Sequence, residues 1–108
     1  DPAKLVSDFL LHPAMTLPSG LKRRFARSII EYFSTSTPMI RRVEALYPLF
    51  GMKWCTILLN EFLPEHLLRR RFAANREVED RESQSKQLAK ARGMLQRIHL
   101  EYEHCPYF

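Results

Sequence analysis

Apolar residues along this chain recur in three- and four-residue steps, broken by proline and Ser/Thr punctuation, and that spacing predicts helices from end to end. In DPAKLVSDFLLHP, Leu5, Val6, Phe9 and Leu10 form one apolar stripe. Asp1 is placed to cap this helix, Pro2 suits a first turn that needs no amide donor, and Pro13 ends it. HPAMTLPSG reads as a loop. Ser19 then caps GLKRRFARSIIEYF, where Leu21, Phe25, Ile29 and Phe33 recur every four residues and Lys22, Arg23, Arg24 and Arg27 mostly take the other side.

STSTPMIRRVEALYP repeats the logic, with Thr37 as cap, Pro38 at the first helical position and Pro48 as stop. Met39, Val43, Leu46 and Tyr47 make its inward face. After Gly51 a separate helix is expected in MKWCTILLNEFL, apolar on most sides at Trp54, Cys55, Ile57, Leu58, Leu59 and Phe62, which makes it central. Pro64 opens a short helix, PEHLLRRRFAAN, with Leu67, Leu68 and Phe72 inward and Asn75 as C-cap. REVEDRESQSKQ has almost no apolar residue. From Leu88 onward, Leu88, Ala91, Leu95, Ile98 and Tyr102 mark a final helix packing along one seam until Cys105-Pro106, a seam that also suits self-association. No strand pattern or internal repeat is visible. The expectation is an all-α fold, a compact bundle of five or six helices with a long C-terminal helix. Its parts are a helical core at 1–75, a charged linker or solvated helix extension at 76–87, and a C-terminal helix at 88–108 that packs on the core.

Composition narrows this little. The 108 residues fit one small domain, 45% hydrophobic and 27% charged, as is ordinary for a globular chain. Basic residues exceed acidic ones by 17 to 12, a bias too mild to specify an anionic partner. Cys55 and Cys105 form no C-x-x-C pair and the histidines near them fall at no metal-ligand spacing, so two isolated thiols suit a reducing, cytoplasmic setting. No apolar run reaches the roughly 18–20 residues that cross a bilayer; WCTILLNEFL is interrupted by Asn60 and Glu61. No stretch has the form of a leader.

Local motifs supply no active site. Gly20, Gly51 and Gly93 stand alone, so neither dinucleotide fingerprint nor P-loop can be written. His12, His66, His99 and His104 make no H-E-x-x-H pair, and neither a kinase-type catalytic loop nor a nucleophile elbow is present. The clusters Lys22-Arg23-Arg24, Arg41-Arg42 and Arg69-Arg70-Arg71 suggest a phosphate-binding surface. However, Phe25 and Phe72 fall on apolar faces, as core rather than stacking platforms, and solvated faces are the plainer reading. Three residues are singled out as candidate substrate contacts. Asp8 lies within an apolar stripe, where a half-exposed carboxylate is the plainer reading. Trp54 doubles as core, and Glu61 interrupts the most apolar helix, where a tie to a neighbouring Arg would also satisfy it.

The chain opens at Asp1 as though in mid-fold, and DPAKLVSDFLLHP resembles the segment after the metal-binding Asp in aminoglycoside- and choline-kinase-like phosphotransferases. There a G-D-P or W-D-D-P stretch leads into a helix bearing Asp and an aromatic or Leu, matched by Asp1-Pro2 and Asp8-Phe9. YPLFGMKWCTILLNEFLPE is similar to the late helical segment of bacterial members, so the resemblance spans about residues 1–74. It implies a two-lobed kinase-like fold, ATP and Mg²⁺, and γ-phosphoryl transfer to a small hydroxylated acceptor, where positioning and charge stabilisation do the work. The nucleotide lobe, the catalytic loop and the metal-binding Asp would all precede Asp1. This chain would then be the acceptor-side helical subdomain, a partner of that lobe and inactive alone. Its net positive charge argues against a cationic aminoglycoside acceptor. The alternative is a stand-alone basic helical module for an acidic protein or nucleic acid.

Overall fold

A computed structural model describes residues 1–33, 37–66, 68–69 and 77–108. Among the described residues it is all-α, with α1 (Pro2–Leu11), α2 (Ser19–Phe33), α3 (Thr37–Leu58) and α4 (Glu77–Glu101), a 3-10 helix at Leu59–Phe62 and further helical residues at 64–66 and 68–69. The chain measures 53 × 25 × 22 Å, and the 25 residues of α4 make a helix about 37 Å long. α3 is central as expected. Its interfaces with α4 and α1 are the most extensive in the molecule, whereas α2 meets the other helices chiefly through α1.

α1 starts as its sequence dictates. Asp1 Oδ1 accepts from the Ala3 amide at 3.0 Å, Oδ2 pairs with the Arg42 guanidinium, and Pro2 occupies the first turn. Ala3, Val6, Leu10 and Leu11 are fully buried, whereas Leu5 is 54% exposed, outside the stripe it was expected to join.

The largest departure is at Pro48. It does not stop a helix; α3 runs through it for 22 residues and joins the two helices expected separately. Pro48 lacks the amide that would bond the Glu44 carbonyl, and its ring crowds that turn. What carries the helix through is an uninterrupted inward row. Val43, Tyr47, Gly51, Cys55 and Leu58 are all buried, at spacings of four, four, four and three. Both halves therefore lie on the same neighbours, α1 and α4.

Two more faces are rotated from their expected phase. On α2 the buried residues are Lys22, Ala26 and Ile30, while Leu21 and Phe33 are 48% and 55% exposed. Small Ala26 lets α2 approach, and Phe25 lies against Phe9 with ring centroids 4.0 Å apart. On α4 the buried row is Ala91, Met94 and Ile98; Leu95 and Tyr102 face outward. Tyr102 lies beyond the helix, which ends at Glu101, before the expected Cys105-Pro106. The tail then turns back and buries Cys105 and Tyr107. From residue 77 the charged stretch is continuous with α4. Residues 64–66 and 68–69 are helical, whereas Leu67, Phe72 and Asn75 of the expected PEHLLRRRFAAN helix, like Arg70 and Arg71, lie outside the described residues.

Candidate functional site

Asp8 and Trp54 come together, and Lys53 joins them. The Lys53 ammonium donates to Asp8 Oδ1 at 2.8 Å and lies 5.0 Å from the Trp54 ring and 4.8 Å from that of Phe50. This works because Asp8 faces α3 from the middle of α1, while Lys53 and Trp54 adjoin on α3. Asp8 also lines a cavity of about 400 Å³ with Leu5, Phe9, His12, Met15 and Phe25. A carboxylate has about four lone-pair positions, so the bond from Lys53 does not exhaust it. Glu61 sits elsewhere, on the 3-10 helix, where its carbonyl accepts from the Gln84 amide of α4 at 3.3 Å. It does not line that cavity.

A second hollow opens beside the first, between the loop after α1, the end of α3 and α4. Two adjoining cavities of about 250 and 240 Å³ share His12, Pro13, Leu58 and Lys90; one extends to Arg97, the other to Trp54. His12 is held in place. Its Nδ1 accepts from the Ala14 amide at 3.1 Å, its carbonyl accepts from the Met15 amide at 2.9 Å, and its ring meets that of Trp54 edge-on at 4.5 Å. That bond to Nδ1 puts the neutral ring's proton on Nε2.

Next to this hollow, a polar cluster pins the tail. Tyr47 donates to Glu101 Oε2 at 2.6 Å. Arg97 donates from Nε to the same oxygen at 3.1 Å, and from Nη2 to the hydroxyl oxygens of Tyr47 at 3.1 Å and Tyr107 at 2.8 Å. The Lys22 ammonium lies 5.9 Å from the Tyr107 ring, and Arg23 donates to the Pro106 carbonyl at 3.2 Å. Burial, then the bond to Glu101, holds the Tyr47 hydroxyl far above the usual tyrosine range. Burial raises Tyr107 too, and pushes the Cys105 thiol up to about 11. Burial, and then the charge of Arg97, lowers Lys22. Both cysteines are free and buried.

These directions give a pH dependence. Cys105, Tyr47 and Tyr107 hold their protons more tightly folded than unfolded. Their contribution is therefore intact below the ordinary thiol value of 9.0 and is lost as pH climbs through about 11. Lys22 works the other way, since its lowered value relieves a burial penalty as pH rises, but it stands against these three and the Cys55 thiol, which burial also raises. Stability should fall steadily from about pH 9 to about pH 11, read as the urea midpoint, and Cys105→Ala should flatten the slope. A midpoint that stays level or rises across that window contradicts the assignment.

Sequence reasoning missed His12, Lys53, Lys90 and Arg97. A signal existed for two of them. Lys90, Gly93, Met94 and Arg97 follow the i, i+3, i+4, i+7 rule of a single helix face, so two cations share a side with an inward Met. Nothing local marks His12, whose position depends on a loop conformation. Among the described residues no three His, Cys, Asp or Glu side chains are grouped to hold a metal ion, and no helix is long and apolar enough to cross a membrane. Set against known proteins, this chain finds no matching family model, no matching characterised protein and no matching solved structure.

Proposed function

We propose that this chain is the acceptor-side helical subdomain of an ATP-dependent small-molecule phosphotransferase, with the nucleotide lobe contributed by preceding sequence. One observation carries the reading. The two segments that resemble the family, 1–13 and 47–65, pack against each other as α1 on α3, and Lys53 links Asp8 to Trp54 across that contact. The cavity beside Asp8 then has the make-up of an acceptor pocket: apolar walls from Leu5, Phe9, Met15 and Phe25, and one carboxylate to receive a hydroxyl proton donor. Asp8 orients the acceptor hydroxyl, Lys53 holds the Asp8 carboxylate in place through its 2.8 Å hydrogen bond, and the apolar walls exclude water. ATP and Mg²⁺ would supply the phosphoryl group and its charge neutralisation.

The test is expression of the reading frame that contains this chain, assayed for phosphoryl transfer from ATP to a panel of small hydroxylated acceptors. With Asp8→Asn, KM for the acceptor should rise about tenfold, the loss expected for one charge-assisted hydrogen bond, while KM for ATP stays put. A frame with no phosphate-binding Lys and no H-x-D-x-x-x-x-N loop, or a variant indistinguishable from the parent, removes the proposal. The alternative, a basic module for an acidic protein or nucleic acid, has one observation in its favour: Arg24 and Arg27 are exposed beside Arg23 along a shallow hollow on α2. The same hollow includes Glu31, and Arg23 is already bound to Pro106, so that surface is the weaker candidate.

A further inference from the structure

We infer that the hollow between His12 and Lys90 is a binding site for a small anion, a phosphate or carboxylate carried on an apolar body. The site is independent of the phosphotransferase reading and of any nucleotide. Its lining carries the argument. The two adjoining cavities are lined by three residues with cationic or imidazole side chains, His12, Lys90 and Arg97, together with Gln87, and no Asp or Glu lines either one. Arg97 is committed to Glu101, Tyr47 and Tyr107, so it contributes field more than free donors. Lys90, by contrast, is exposed and makes no ion pair with any described residue. His12 is held by Ala14 and Trp54, which leaves Nε2 as its uncommitted donor.

Part of the lining is apolar. Leu58 and Met94 are 5% and 8% exposed, and with Pro13 they give the hollow an apolar part of its lining. Trp54 adds a ring wall, and its Nε1 is the buried side-chain polar atom that finds no hydrogen-bond partner among the described residues. Cations in a partly apolar lining, with no competing carboxylate, select an anionic head over a neutral or cationic one. The other hollows differ: the one beside Asp8 contains a carboxylate, and the one on α2 contains Glu31.

Trp54 is the sole tryptophan of the chain, so its emission reports the site directly. The folded 108-residue chain, at low ionic strength, is titrated with phenyl phosphate, with benzoate and with phenol, the same ring without charge. Both anions should change Trp54 emission saturably and shift its indole N–H resonance, and phenol should not. Lys90→Gln removes one exposed charge and should weaken both anions about tenfold, with the far-UV spectrum unchanged. Lys90→Glu should weaken them further. The inference is overturned if neither anion gives a saturable change, if phenol binds as tightly, or if the Lys90 variants bind like the parent. None of these readouts involves ATP, so this site and the phosphotransfer proposal fail or succeed separately.

Discussion

Gly51→Ala should destabilise the fold by about 1–2 kcal/mol, although the same change in an open helix normally stabilises. Gly51 is buried in the middle of α3, where a Cβ would overlap Cγ1 and Cδ1 of Ile98 on α4. Turning the end of the Ile98 side chain moves only Cδ1. Cγ1 is set by χ1, and a β-branched residue in a helix has essentially one χ1 well. Relief must therefore come from parting α3 and α4, the most extensive interface in the molecule. Overpacking of this kind costs about 1–3 kcal/mol, offset in part by the roughly 0.8–1 kcal/mol by which Ala exceeds Gly in helix propensity. The mechanism predicts a change of sign. Ile98→Ala alone should cost about 2–4 kcal/mol through its cavity, but once it is present Gly51→Ala should become neutral or mildly stabilising. Urea midpoints of the four proteins decide it. If Gly51→Ala has the same sign and size in both backgrounds, close helix approach is not why glycine is there.

That contact was within reach of the sequence. Val43, Tyr47, Gly51, Cys55 and Leu58 keep step straight through Pro48, and an unbroken row on both sides of a proline outweighs the rule that proline ends a helix. Local propensity prefers a stop at Pro48, but two shared neighbours, α1 and α4, favour continuation, and the burial is worth more than one missing hydrogen bond. The α2 face was mistaken for a related reason. Counting apolar residues picks Leu21, Phe25, Ile29 and Phe33, whereas the helix rests on Ala26 and on Lys22, whose ammonium lies over Tyr107 of the tail. A lysine with so distant a partner in sequence has no local signature.

The candidate site divides along the same line. Asp8 and Trp54 were visible because each is conspicuous on its own helix, a carboxylate in an apolar stripe and a lone indole. Their junction at Lys53 was not, because it depends on how α1 crosses α3. Glu61 drew notice as a polar break in an apolar run. The structure puts that break at the switch from α3 to a 3-10 turn, where a backbone carbonyl takes a bond from Gln84. The interruption marks a helix end, while the hollow lined by His12 and Lys90 is built by other parts of the chain, the loop after α1 and the face of α4 that carries Met94.

Arg97→Met should be the most damaging of the single polar substitutions, at about 2–4 kcal/mol. Methionine preserves most of the stem's packing but removes every donor that Arg97 gives to Glu101, Tyr47 and Tyr107. Among the described residues Glu101 then keeps only the Tyr47 hydroxyl as a partner, and the oxygen of Tyr107, a residue 6% exposed, loses its cation. A carboxylate left half-buried beside a missing guanidinium is the costly part, since removing one member of such a pair strands the other's charge. Lys22 offsets a little of this, because losing Arg97 lifts a like-charge repulsion that now lowers it. Tyr47→Phe takes one donor from Glu101 but leaves Arg97 in place, and should cost only about 1–2 kcal/mol. Arg97→Lys keeps a charge without the planar fork, and belongs between the two. If the groups act as one network, Arg97→Met combined with Tyr47→Phe should depart from the sum of the singles by about 1 kcal/mol or more, the usual mark of contacting partners. Additive losses would mean that Arg97 and Tyr47 act singly rather than as a network, and an Arg97→Met protein within about 0.5 kcal/mol of the parent would mean that Arg97 does not hold the tail.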